Sequence, residues 1–181
     1  MSYQPQLAIT AHLLAIIEEV SAFREKILAA AVQVPWILAL QKDARVRNTH
    51  SSTAIEGNPL TLEQVRMLEE GRPLATETER SKREVLNYLA GLRFIEKHIT
   101  KKSITHTEVL KLHAIIAGDV MDQGRAGRYR DIRVRVGRYL PPGPELVSGF
   151  MAELLGWWNT KSAKWSPVIT SAIVHYRFEE I

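Results

Sequence analysis

The sequence predicts an all-α fold, helical throughout except for one small projecting β-hairpin. Three observations carry that expectation. Apolar residues recur at helical spacing in window after window, from Leu13, Ile16, Ile17, Val20, Phe23 and Ile27 to Ile169, Ala172, Ile173 and Tyr176. Start signals of the Thr-x-x-Glu/Gln kind, in which a hydroxyl and a side chain three residues on satisfy each other's backbone N–H, stand at Thr61/Gln64, Thr76/Glu79 and Thr105/Glu108. Only residues 128–139 change to a period of two, in Arg133-Val134-Arg135-Val136, with Gly137 suited to a turn.

Residues 8–33 read as a long amphipathic helix, broken at Val34-Pro35. A second helix runs from about Pro35 to Glu56, with Ile37, Leu40, Ala44, Ser51 and Ile55 predicted on one face. Gly57-Asn58-Pro59 stops it, glycine serving as C-cap and proline being unable to continue. Glu56 is then a carboxylate beside the negative end of the helix dipole, disfavoured by roughly 0.3–1 kcal/mol at an exposed site. Ser52, four residues earlier, falls on the same face. Thr61 opens a short helix that ends near Gly71-Arg72-Pro73, and Thr76 opens a long one carrying Val85, Tyr88, Leu89, Leu92, Ile95 and Ile99. Thr105 opens another that reaches Gly118. The hairpin returns through Tyr139-Leu140 and is limited by Pro141-Pro142. Leu146, Phe150, Leu154 and Trp157 then read as core on the next helix, and Ser166-Pro167 supplies the start of the last. The final helix meets Ile181 with no cap, which reads as an interrupted protein.

Composition bounds the chemistry. The chain has no cysteine, which excludes disulfides and thiolate metal sites and fits a reducing cytoplasm. No apolar run approaches the 18 or so residues that a membrane helix needs, and the first residues do not form a signal peptide. The formal net charge is +4, and much of the excess is Arg125, Arg128, Arg130, Arg133, Arg135 and Arg138. Without a base-reading helix or an aromatic platform beside them, nucleic-acid binding ranks last among the readings. The six histidines form no metal-binding pair, and no nucleophile elbow or phosphate-binding glycine loop is present. Pattern alone assigns no catalytic residue and no metal ligand.

A resemblance goes further. Ser52-Thr53-Ala54-Ile55-Glu56-Gly57 matches the Ser/Thr-x-x-x-Glu-Gly/Asn inhibitory motif of the Fic family, whose members transfer AMP from ATP to protein hydroxyls. Asn87-Tyr88-Leu89-Ala90 resembles the helix that follows this motif in the family. Gly127-Arg128-Tyr129-Arg130 through Val134-Arg135-Val136-Gly137 to Pro141-Pro142 resembles the family's flap hairpin. Ser166-Pro167-Val168 through His175 to Ile181 resembles the helix that enters the active-site loop. The family's His-x-Phe-x-Asp/Glu-Gly-Asn-Gly-Arg-x-x-Arg motif does not occur in these 181 residues, and His175 is not its histidine.

The resemblance implies a Fic-like helical domain with residues 1–75 as an N-terminal region carrying an inhibitory helix at about 35–56. Residues 76–181 would be the N-terminal part of the core, left incomplete, with the flap at 128–141. It implies an inhibitory set of Ser52, Glu56 and Gly57, and a target-docking flap of Arg133, Val134, Arg135, Val136 and Gly137. ATP and Mg²⁺ are the cofactors of the full-length family, and neither is expected to bind tightly to this chain. The implied partner is a Ser, Thr or Tyr hydroxyl of a target protein, and self-association through the uncovered core face is also expected. The chain alone is expected to be inactive. The alternative is a non-catalytic, antitoxin-like module that lends its inhibitory helix to another protein.

Overall fold

Hydroxyl caps set most of the helix starts. The computed structural model describes residues 3–30, 36–75, 78–101, 103–122 and 124–181. Helix α1 (Ala11–Ala29) begins where Thr10 Oγ1 accepts the amide N–H of Leu13. After α2 (Ile37–Ile55), α3 (Leu62–Glu69) and α5 (His106–Ala117) start at the full capping boxes of Thr61/Gln64 and Thr105/Glu108. Helix α4 (Glu79–His98) departs from the expected signal: its cap is Thr78, whose hydroxyl accepts from the Ser81 amide. Thr76 lies outside the described residues. Proline occupies the first turn of both α6 (Pro144–Lys161) and α7 (Pro167–Glu180), where no intrahelical N–H is required.

The projecting hairpin is not formed. Among the described residues there is no strand, only a single antiparallel bridge between Val136 and Tyr139. Their two backbone hydrogen bonds, 3.1 and 2.9 Å, close a tight turn over Gly137, whose φ of +59° glycine adopts without cost. The ladder stops there because Pro141 and Pro142 have no N–H to donate, and a two-stranded ribbon by itself is marginal in water.

The chain divides into two compact units, residues 35–132 and residues 1–34 with 133–181. In the first, α2 to α5 enclose Val46, Leu60, Val65, Val85 and Leu89, each 3% exposed or less. The α2 face that packs is Val46, Thr49 and Thr53, not the expected stripe; Ile37, Leu40 and Ile55 are exposed. Threonine can occupy this face because each hydroxyl donates to a carbonyl of its own helix, Thr49 to Arg45 and Thr53 to Thr49, both at 2.9 Å. No hydroxyl is left unsatisfied.

In the second unit, Ile17 of α1 packs with Trp157 of α6 and with Ile169 and Ile173 of α7, with Tyr3 edge-on to Trp157 at 5.9 Å. Leu154 and Trp157 are core as expected, whereas Leu146 is exposed. Arg177 lies between the rings of Tyr3 and Phe150, 5.2 and 4.9 Å from their centroids. An open groove of about 680 Å³ runs beside α7, lined by Leu13, Ile169, Ala172, Ile173 and Tyr176 among others. No described helix is long and apolar enough to cross a membrane.

Candidate functional site

The turn that ends α2 is built to one geometry. Glu56 is the cap residue, Gly57 follows at φ +88°, and two reverse hydrogen bonds close the end. The Gly57 amide donates to the Ala54 carbonyl, and the Asn58 amide to the Thr53 carbonyl, each at 3.0 Å. This 5→2 and 6→1 pairing is the Schellman arrangement, which uses carbonyls that a helix end otherwise leaves open and requires a left-handed residue at the glycine position.

Asn58 then fastens the turn to α4. Its side chain is buried, its Nδ2 donates to the Ser81 carbonyl at 3.0 Å and to Glu84 Oε2 at 2.8 Å, and its Oδ1 accepts the Leu60 amide at 3.1 Å. Arg80 holds the other Glu84 oxygen at 3.1 Å, so the carboxylate is anchored on both sides.

Ser52 and Glu56 are not joined. Ser52 Oγ donates to Asn48 Oδ1 at 3.3 Å and accepts from the Tyr88 hydroxyl at 2.9 Å, which ties this flank of α2 to α4. The Glu56 side chain is exposed and makes no hydrogen bond or ion pair with the described residues. No basic residue lies in the last turn of α2 to relieve its position against the helix dipole. The site therefore offers one carboxylate, unpaired among the described residues, on a well-fastened end.

The first half of α2 is held by ions. Arg45 bridges Glu69 at 3.2 Å and Glu96 at 3.0 Å, and Arg93 reaches the second Glu69 oxygen at 2.5 Å. Asp43 accepts from Arg47 at 2.6 Å and from Arg66 at 2.9 Å, and these two guanidinium groups hold its carboxyl below the usual range. Lys42 does the same for Glu70, aided by Arg72.

The segment Arg133, Val134, Arg135, Val136 and Gly137 belongs to the other unit and is exposed along its length. Beyond the Val136–Tyr139 bridge its backbone makes no backbone hydrogen bond among the described residues. The Tyr139 hydroxyl donates to the Glu180 carbonyl at 2.8 Å, which ties the turn to the end of α7. Asn58, Asn48 and Tyr88 were not singled out as site residues by the sequence. The only signals were Asn58 directly after the glycine and Tyr88 within the Asn87-Tyr88-Leu89-Ala90 match.

Among the described residues no group of three His, Asp or Glu side chains is placed to hold a metal ion. The sequence has no glycine-rich anion loop either.

Residues 103–181 match the Fic/DOC family. The protein adenylyltransferase fic-1 of Caenorhabditis elegans is 34% identical over 133 residues, which is 71% of this chain and 26% of that protein. A Fic family protein from Desulfovibrio desulfuricans G20 superposes with a TM-score of 0.78 at 31% identity, over 99% of this chain and 54% of that one. A structure of Fic-1 from C. elegans gives a TM-score of 0.76 at 26% identity, over 93% of this chain and 52% of that one. The chain thus spans about a quarter of the curated relative's length and about half of each solved chain. Together the match over residues 103–181, the relatives above 30% identity and the shared fold support a Fic family protein.

Proposed function

We propose that this chain is the regulatory and target-docking portion of a Fic-type enzyme that transfers AMP from ATP to Ser, Thr or Tyr hydroxyls of a target protein. The region to about residue 75 carries the brake, and residues 76–181 are the N-terminal part of the transfer core. The observation that carries the reading is Glu56: an exposed carboxylate with no partner among the described residues, presented from a helix end that Gly57 and Asn58 hold in place. A guanidinium from the catalytic portion would relieve its unfavourable position at the helix C-terminus and form a two-pronged, charge-assisted pair with it. An arginine held in this way is withdrawn from the phosphates of the nucleotide. Ser52 contributes indirectly, through its hydrogen bonds to Asn48 and Tyr88, by fixing the rotation of α2.

The exposed backbone of Arg133 to Val136 would take up a target segment by strand addition, which needs main-chain groups more than particular side chains. Arg133, Val134 and Arg135 make no backbone hydrogen bond among the described residues, which supports this reading.

The test compares labelling of proteins with radioactive ATP by the enzyme containing this chain, as wild type and as Glu56→Gly. A charge-assisted pair worth about 1.5–3 kcal/mol corresponds to roughly a 10- to 150-fold rise in AMP transfer for the variant. Equal labelling would sink the reading. The 181-residue chain by itself is expected to transfer no AMP and to bind ATP weakly.

A second reading is a non-catalytic module that lends α2 to another protein. The open apolar groove beside α7 favours it as a docking surface. Under this reading, the chain would inhibit a separate Fic enzyme added in trans, and Glu56→Gly would abolish that inhibition.

A further inference from the structure

Helix α1 carries more apolar surface than its own unit covers. Leu13 and Ile17 pack with Trp157, Ile169 and Ile173. Beside that packed face, Ile16, Val20, Phe23 and Ile27 form a second stripe, 42%, 44%, 55% and 73% exposed. Their spacings of four, three and four are the a/d spacing of a heptad repeat, a pattern that is satisfied by a second helix set into it knobs-into-holes.

We propose that this stripe is the seam of an antiparallel α1–α1 pair between two copies of this chain. The order of side chains selects the occupant. Turned end for end against itself, the stripe sets Val20 against Phe23 of the second copy and Ile16 against Ile27, so a smaller group meets a larger one in the central layers. The same register sets Glu19 beside Lys26 of the second copy, and symmetry makes that pair twice. Glu19 and Lys26 are both exposed, and Lys26 lies over the Phe23 ring with its Nζ 5.5 Å from the centroid, already at the rim of the seam. A parallel pair would place Phe23 on Phe23 and align the two helix dipoles, whereas the antiparallel pair opposes them. Leu13 and Ile17 also fasten the N-terminal half of α1 to its own unit, so end-for-end pairing keeps the two attachment points at opposite ends of the seam.

The seam is about two heptads long, at the small end of specific interfaces, and the expected Kd is on the order of 10 µM. Sedimentation equilibrium of the 181-residue chain from about 1 to 100 µM should show a concentration-dependent shift from 20.5 kDa toward twice that mass. The double change Val20→Glu with Phe23→Glu should leave only monomer, with an unchanged far-ultraviolet circular dichroism spectrum because both side chains are exposed. Glu19→Lys alone should weaken the dimer about fivefold through its two rim pairs, and adding Lys26→Glu should restore it. The chain has no cysteine, so equal amounts of Val20→Cys and Phe23→Cys chains should cross-link to each other faster than either does to itself. A monomer throughout the concentration range would overturn the proposal. So would a dimer that survives the double glutamate change, a charge swap that fails to restore association, or preferential cross-linking of like cysteines.

Discussion

Asn58→Ala is the sharpest probe of how the α2 end is held. The substitution removes three hydrogen bonds, to Ser81, Glu84 and the Leu60 amide. They are not equal losses. The Ser81 carbonyl lies within α4, and Glu84 keeps Arg80 as a partner, so neither is stranded. The Leu60 amide is stranded, because Leu60 is 3% exposed and water does not reach it easily. A buried donor without a partner costs about 1–3 kcal/mol, and losing the bonds themselves adds on the order of 1 kcal/mol. The expected loss is therefore about 2–4 kcal/mol, read as a lower urea midpoint with an unchanged slope. Amide hydrogen exchange should rise around residues 53–60 while α5 keeps its protection. A midpoint loss equivalent to less than about 0.5 kcal/mol, the range of an ordinary surface change, would refute the argument that Asn58 bolts the turn to α4.

Three other outcomes follow from the same structure. Gly57→Ala should cost about 1–2 kcal/mol from the left-handed backbone alone, since a Cβ there meets nothing within 4 Å; chemical denaturation with no loss would count against a fixed φ. The Lys101 ammonium, followed by the Thr105 amide and hydroxyl, holds the Glu108 carboxyl at about 2 against an ordinary 4.5. A depressed carboxyl contributes stability above its unfolded value and loses it as pH falls through its folded value, so urea midpoints should drop between pH 4.5 and about 2. Glu108→Gln should flatten that part of the profile. In the active enzyme, Ser52→Ala should raise AMP transfer by less than Glu56→Gly does, because it loosens α2 without removing the carboxylate; a larger effect from Ser52→Ala would invert the assigned roles.

The helices were legible because their signals are local. Thr61, Thr105, Pro144 and Pro167 each act within one turn, and a pattern of three or four residues is enough to place them. The packed face of α2 was not legible. Thr49 and Thr53 look polar in sequence, yet each hydroxyl is satisfied inside the helix and its methyl is free to pack, so the true face was read as a solvent one. The start of α4 moved for a similar reason: Thr76 and Thr78 both precede acceptable partners, and sequence does not say which hydroxyl turns back. The hairpin failed because alternation in Arg133 to Val136 describes one edge, while a ladder needs a second edge with donors, and Pro141 and Pro142 lack them. At the site, Glu56 and Gly57 stood out because the motif is contiguous. Asn58 and Tyr88 act across 26 and 40 residues of chain, and such bonds leave no period to read.

The two buried threonines have a mechanical consequence. Because their hydroxyls bond within α2, the Thr49 and Thr53 face of that helix meets its neighbours through methyl groups, with no side-chain hydrogen bond of its own to break. It behaves as a beam pinned at two places, by Asp43 and Arg45 near its middle and by Ser52 and Asn58 at its C-terminal end. The pins differ in kind. Raising ionic strength shortens the reach of exposed charges and should slacken the first, while the uncharged bonds of the second persist. The beam would then tilt about the Glu56 end rather than slide, and the carboxylate would keep its position while the far end swings.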